Sequence, residues 1–222
     1  MKDAPLLIYG AGGFAREIAW LAEICQDHCS GLEPVGFIDD AKHGEPSVLN
    51  GLPVWTLDEA IQHNPRAWFV AAIGNPNARQ LVTQKAISAG LRPARLVHPG
   101  VTLSRFIEMG EGAVICAGSH LTTNIVLGTG VQVNLDCTIG HDAILNDYVT
   151  LAPGCHISGN VHLGKRVYVG TGAVIINGTP DSPLVIGDDS VVGAGACVTK
   201  SIGSGLTAVG VPARPIGKPV AA

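Results

Sequence analysis

The spacing of apolar positions changes its period partway along the chain. From Leu103 to Ile175 an aliphatic residue or methionine returns every six positions, through Leu103, Met109, Ile115, Leu121, Leu127, Val133, Ile139, Leu145, Leu151, Ile157, Leu163, Val169 and Ile175. Two residues ahead of each runs a second, smaller series that includes Ala113, Ser119, Val131, Cys137, Ala143, Cys155 and Ala173. Three residues after each, Gly, Asn and Asp dominate (Gly112, Gly118, Asn124, Gly130, Asp136, Asp142, Gly154, Asn160, Gly172), the types that tolerate positive φ at a turn. Thirteen successive matches exclude chance. A six-residue unit with two inward side chains and a turn is one side of a parallel β-helix. Three sides close a coil, and coils stack at the strand spacing of about 4.8 Å. The ladder breaks at Asn177–Pro183, which reads as a protruding loop, and resumes at Ile186, Val192 and Val198.

Ahead of the ladder, apolar runs alternate with helical spacing. Leu6–Tyr9, Val35–Ile38 and Trp68–Ile73 read as strands, Arg16–Cys25 and Asn77–Ala89 as helices, and Arg95–Val97 as one more strand. This βαβαβ order predicts a small Rossmann-like parallel sheet with ligands at the carboxyl ends of its strands. The expected division is 1–97 for this α/β domain and 98–222 for the all-β helix. Composition agrees with two building rules, since all three Trp lie in the first 70 residues and 20 of the 29 Gly follow His98.

The turn Gly10-Ala-Gly12-Gly13-Phe14-Ala15 fits the G-x-G-x-x-A fingerprint. Gly10 permits a tight turn, Gly12 a close backbone approach, and the following helix start presents amides to a phosphate. Asp39 stands at the end of the second strand, where such folds place a ribose-binding acid. Alone this indicates a nucleotide rather than NAD, because a domain of barely 97 residues carries no hydride-transfer machinery.

Only 14% of residues are charged and 46% are hydrophobic, which predicts an oligomer. A net charge of −4 without basic runs argues against nucleic acid. No apolar stretch is long enough for a signal peptide or a membrane span, so the expected compartment is the cytoplasm. Cys25 and Cys29, with His28 between them, lack a second ligand pair and read as helical spacing rather than a metal site. Cys137 and Cys155 both point inward, one coil apart, as core thiols. His120, His156 and His162 point outward, and His156 and His162 fall on different faces of their own coil, which argues against a metal shared within one chain. Lys165, Arg166, Lys200 and Arg214 read as surface charges, with contact to the phosphates of a ligand as the alternative.

His141 follows inward Ile139 by two residues, at the start of a turn, with Asp142 beside it. One coil further on, 18 residues away, stands Gly159, whose amide no side chain shields. A base, an acid and a free amide one strand spacing apart suit acyl transfer. The turn Gly10–Glu17, the triplet Gly140-His141-Asp142 and the closing Gly210-Val-Pro-Ala-Arg214 together resemble the sialic-acid O-acetyltransferase/bacillosamine N-acetyltransferase family, over nearly the whole chain.

That resemblance implies a left-handed β-helix, a homotrimer and acetyl-CoA as co-substrate, with no metal. It implies transfer to the 4-amino group of a nucleotide-linked 4-amino-4,6-dideoxysugar such as GDP-perosamine, in surface-polysaccharide synthesis. UDP-linked amino sugars and sugar hydroxyls are the alternative acceptors, and a non-catalytic trimeric binding protein the remoter one. His141 would be the general base, Asp142 its acidic neighbour and Gly159 the oxyanion donor. The nucleotide sugar would lie along Gly12, Gly13 and Phe14, with Asp39, Asp40, Gly74 and Asn75 nearby. Acetyl-CoA would pass Thr171 and Ala194. Family members often carry a second histidine nine positions after the base, where this chain has Thr150.

Overall fold

The computed structural model describes residues 4–41 and 47–216. The chain divides into two units, Met1–Pro99 and Gly100–Ala222.

In the first unit, strand β1 (Ala4–Tyr9) leads through the glycine turn into helix α1 (Gly13–Cys25). Then come β2 (Leu32–Ile38), β3 (Ser47–Leu49), β4 (Leu52–Trp55), α2 (Leu57–His63), β5 (Trp68–Ala71), α3 (Pro76–Ser88) and β6 (Arg92–Pro93). The sheet runs β3-β4-β2-β1-β5-β6 and is parallel except for the β3–β4 pair. The central strands are apolar on both faces, as a sheet covered by helices requires, and Leu6, Leu7, Ile8, Phe37 and Ile38 are all fully buried. The sequence reading omits β3, β4, α2 and β6, and the strand it expects at Arg95–Val97 forms only at Leu96–Val97, outside this sheet. Thr56 nevertheless caps α2 in a reciprocal capping box with Glu59, a T-x-x-E spacing visible in the sequence.

The second unit is the left-handed hexapeptide-repeat β-helix. Its first face stacks Thr102–Leu103, His120–Leu121, Thr138–Ile139, His156–Ile157, Val174–Ile175 and Cys197–Val198. Its second stacks Ile107–Met109, Ile125–Leu127, Ile144–Leu145, Val161–Leu163 and Leu184–Ile186. Within this unit the third stacks Val114–Ile115, Gln132–Val133, Thr150–Leu151, Tyr168–Val169, Val191–Val192 and Thr207–Val209, with Arg214–Ile216 antiparallel to the last. Neighbouring coils pair in parallel at an offset of 18, for example Leu121 with Ile139 and Leu145 with Leu163. Past the loop the offset becomes 23, as in Leu163 with Ile186, so five residues have been inserted. The loop closes on itself through the Thr179–Ser182 bridge.

Both inward series fill the bore. Ile115 to Ile175 and Ala113 to Ala173 are buried throughout, and only the first coil is open, with Leu103 42% exposed. Ser119, in the small series, is satisfied by donating to Asn134 O at 2.9 Å and accepting from Cys137 N–H. The left-handed turn positions fall where the six-residue count puts them. Two unexpected residues occupy such positions, Tyr148 (φ 60) and Arg166 (φ 58). The Tyr148 ring covers Gly130, where a Cβ would stand 2.8 Å from it. The Arg166 guanidinium grips Asp189 with two bonds of 2.7 Å.

Cys137 and Cys155 stack as free buried thiols. The Cys137 contact and then burial push the Cys155 thiol well above its ordinary range. Cys25 is buried and donates to Val97 O at 3.3 Å, while the side chain of Cys29 lies outside the described residues.

Candidate active site

His141 and Asp142 occupy the corner between Thr138–Ile139 on the first face and Ile144–Leu145 on the second. The inward residues Ile139 and Ala143 anchor the corner, and the turn throws the intervening side chains outward. His141 is 59% exposed and Asp142 47%, so the pair faces a ligand-accessible surface. Asp142 has φ +58, a conformation that short Asx side chains tolerate.

His141 Nδ1 lies 2.8 Å from Asp142 Oδ2. The hydrogen bond from His141, then one from Asn124 Nδ2 at 3.3 Å, hold the Asp142 carboxyl below the usual carboxylate range. An ionised carboxylate only accepts, so a neutral His141 carries its proton on Nδ1 and keeps a lone pair on Nε2. On the other side the ring lies over Gly159, where an added Cβ would be 2.6 Å from both Nε2 and Cε1. Gly159 is buried, its carbonyl accepts from Gly178 N–H, and its own N–H donates to no group among the described residues. A base with a free lone pair therefore stands beside an unused backbone donor, the two requirements of acyl transfer through a tetrahedral oxyanion.

In the first unit, the carboxyl ends of β1, β2 and β5 gather most of the residues assigned to the acceptor. Gly10 has φ +122, and a Cβ there would meet Ala72 O at 2.8 Å, so the turn requires glycine. Gly12 caps α1 without any side-chain bond, and a Cβ on it would meet nothing within 4 Å, leaving the backbone open to a ligand. Gly13 and Phe14 begin the helix. Gly74 is equally unobstructed. Asn75 caps α3 by accepting from Ala78 N–H at 2.9 Å.

The two adjacent acids differ. Among the described residues, Asp39 Oδ1 accepts only from its own turn, at Ala41 N–H. Asp40 is spanned by protein groups: Tyr9 Oη–H and Lys85 Nζ at 2.6 Å share Oδ2, and Leu57 N–H donates to Oδ1 at 3.1 Å. Burial alone would raise its carboxyl, but the bonds from Lys85, Tyr9 and Leu57 outweigh that and hold it below the usual range. Burial, then the Asp40 bond, pushes the Tyr9 phenol up. The carboxylate thus pins β1, β2, α2 and α3 together, which leaves Asp39 as the more available acid.

Thr171 and Ala194 fall on successive coils, 23 positions apart across the insertion, and both are exposed; Thr171 O accepts from Gly195 N–H at 2.8 Å. Of the surface cations, Lys165 pairs with Asp147 at 3.2 Å and Arg166 with Asp189. Sequence reasoning missed Arg79, which is 1% exposed and donates to Ile73 O and Gly74 O at 2.8 and 3.2 Å, fixing the loop that carries Gly74. An arginine on a helix gives no signal of burial. Thr150 is buried in the third face, between Gln132 and Tyr168. Among the described residues no cluster of three or more His, Cys, Asp or Glu could hold a metal ion.

A repeat prism with a histidine–carboxylate pair over a glycine amide defines a hexapeptide-repeat acyltransferase. Comparison with known proteins narrows the class. Residues 5–86 match the PglD N-terminal domain family. The chain is 34% identical to the GDP-perosamine N-acetyltransferase of Escherichia coli O157:H7, over 93% of this chain and 94% of that one. Among solved structures it is similar to WeeI from Acinetobacter baumannii AYE (36% identity, TM-score 0.86, covering 95% and 99% of the two chains). It is also similar to a histidine-to-asparagine mutant of perosamine N-acetyltransferase from Caulobacter crescentus in complex with CoA and GDP-perosamine (27% identity, TM-score 0.85, 96% and 97%). The chain belongs to this family of acetyl-CoA-dependent sugar N-acetyltransferases.

Proposed function

We propose that this enzyme transfers the acetyl group of acetyl-CoA to the 4-amino group of a nucleotide-linked 4-amino-4,6-dideoxysugar, with GDP-perosamine as the acceptor, in surface-polysaccharide synthesis in the cytoplasm. The observation that carries the proposal is the His141 ring, with Nδ1 on Asp142 and Nε2 against Gly159. The relative's complex with CoA and GDP-perosamine supports the choice of ligands.

In this reading the neutral amine attacks the thioester carbonyl directly. A C–N bond forms, His141 Nε2 takes the proton the nitrogen loses, and Gly159 N–H donates to the oxyanion. Collapse breaks the C–S bond, and the imidazolium returns its proton to the departing thiolate. Asp142 stabilises the imidazolium in between. The acceptor's phosphates meet the amides at Gly12 and Gly13, with Phe14, Gly74 and Asn75 lining the approach and Asp39 meeting ribose or base. Asp40 holds that crevice in shape. The pantetheine arm passes Thr171 and Ala194. Functional copies are homotrimers, with an expected light-scattering mass of about 68 kDa, three times the 22.8 kDa chain.

The test is thiol release from acetyl-CoA with GDP-perosamine and UDP-linked 4-amino sugars as parallel acceptors. Saturable turnover with GDP-perosamine is expected, and His141→Asn is expected to lower kcat by about 10² to 10⁴ while CoA still binds. Turnover with the UDP sugar alone would replace the nucleotide. Silence with every amine would overturn the amine acceptor and direct the search to sugar hydroxyls.

A further inference from the structure

Three left-handed turn residues stack along the corner that carries the reactive pair: Asn124, Asp142 and Asn160, with φ of 54, 58 and 54. Elsewhere along the prism this turn position is often glycine, which meets the backbone requirement alone, as at Gly112, Gly118, Gly130, Gly154 and Gly172. Asn124 supplies more than a turn. Its Nδ2 donates to Asp142 Oδ1 at 3.3 Å, leaving Oδ2 for His141 Nδ1 at 2.8 Å. The amide is itself oriented, because Thr123 Oγ1 lies 3.4 Å from Asn124 Oδ1 and donates to it. The same coil holds the Asp142 backbone, whose N–H donates to Thr123 O at 3.1 Å.

A chain of donors therefore runs in one direction, from the Thr123 hydroxyl to the Asn124 carbonyl oxygen and from the Asn124 amide to the first Asp142 oxygen. The second oxygen is left to receive the imidazole proton. Every acceptor in the chain is matched by one donor. An exposed carboxylate on a surface corner otherwise rotates freely about χ1 and χ2, and each rotation away from His141 leaves the ring without its orienting partner.

We propose that Asn124 is a positioning residue: it clamps the Asp142 carboxylate so that His141 keeps its proton on Nδ1 and offers Nε2 to the reacting amine. The inference rests on the acetyl-transfer reading of this corner. Asn124 touches neither substrate in this scheme, and its effect passes wholly through Asp142.

Asn124→Gly tests it, because glycine keeps the left-handed turn without strain and removes only the amide. With acetyl-CoA and the amino-sugar acceptor, N124G is expected to lower kcat about three- to tenfold, the worth of one modest hydrogen bond, with both KM values unchanged. In an Asp142→Asn background the same change is expected to cost nothing further. A loss of equal size in both backgrounds, or wild-type kcat in N124G, would overturn the proposal. Asn124→Asp keeps the shape and turns the donor into a repelling acceptor, and is expected to lose at least as much as N124G.

A second readout needs no turnover. In ¹⁵N-histidine spectra of the intact protein, neutral His141 is expected as the Nδ1–H tautomer, shifting toward Nε2–H in N124G. An unchanged tautomer population, or Nε2–H in the wild type, would overturn the clamp even in an active enzyme. Wild-type inactivity with every acceptor would instead overturn the acetyl-transfer reading, and the spectra would still decide the clamp.

Discussion

At Gly159 a methyl group would stand 2.6 Å from Nε2 and Cε1 of His141, closer than non-bonded carbon and nitrogen approach. Gly159 does not have positive φ, so alanine is acceptable to the backbone and the conflict falls on the imidazole. Gly159→Ala is expected to leave the thermal midpoint nearly unchanged and lower kcat about 10²-fold, since a displacement of about 1 Å at the reacting atoms costs that much. Steady-state kinetics beside a thermal melt checks it, and wild-type kcat would show that the ring does not work from its position over Gly159. His141, Asp142 and Gly159 were legible in the sequence because a strict repeat converts an offset of 18 into a contact. Asp40 was not legible in the same sense. Its partners Tyr9 and Lys85 lie 31 and 45 residues away, and no local pattern distinguishes an engaged carboxylate from its neighbour Asp39.

At the scale of elements, regularity decided what could be read. The prism repeats one rule, so burial, face and turn position followed from counting, and even the interruption at Asn177–Pro183 showed itself as a break in the count. Tyr148 and Arg166 lie outside that reading because their left-handed turns are stabilised by partners one coil away, Gly130 and Asp189, rather than by their own residue type. The α/β unit has no such repeat. Its short strands β3 and β4 are too brief for a hydrophobic period to emerge, and α2 spans only Leu57–His63. What places α2 is the Asp40 carboxylate at Leu57 N–H, together with the Thr56 cap. That junction makes a pH prediction. Because the folded state holds the Asp40 carboxyl below its ordinary value, its contribution to stability is present above the unfolded pKa, near 4, and is lost as pH falls through the folded one. Tyr9 stays protonated throughout that window. Asp40→Asn is therefore expected to melt below the wild type at pH 7, with the gap closing as the medium is acidified below the carboxylate range. Thermal melts across pH 7 to 3 measure this, and a constant gap would mean that the carboxylate's charge contributes nothing to the junction.

At the scale of the molecule, the chain joins two scaffolds that solve different recognition problems. The α/β unit offers backbone amides at a helix start, suited to phosphates and tolerant of what lies beyond them. Under the proposed function, the β-helix would offer the His141 corner for the reaction and the exposed edge at Thr171 and Ala194 for the thioester. If each unit carries its own ligand, damage to one should leave the other's affinity intact. Gly12 separates the two cases, because a side chain there meets no protein atom within 4 Å yet fills the space a ligand would use. Gly12→Val keeps an extended cap conformation (φ −82, ψ −170) that valine adopts readily, so the melt should fall by a few degrees at most, the cost of a poorer helix cap. CoA affinity, measured by calorimetry, is expected to stay within about twofold of the wild type. The acceptor KM is expected to rise at least tenfold, with kcat at saturation largely retained, because the histidine corner is untouched. An unchanged acceptor KM would remove the glycine turn from the acceptor site. A parallel fall in CoA affinity would mean that the two ligands share the first unit, and the division of labour between the scaffolds would have to be redrawn.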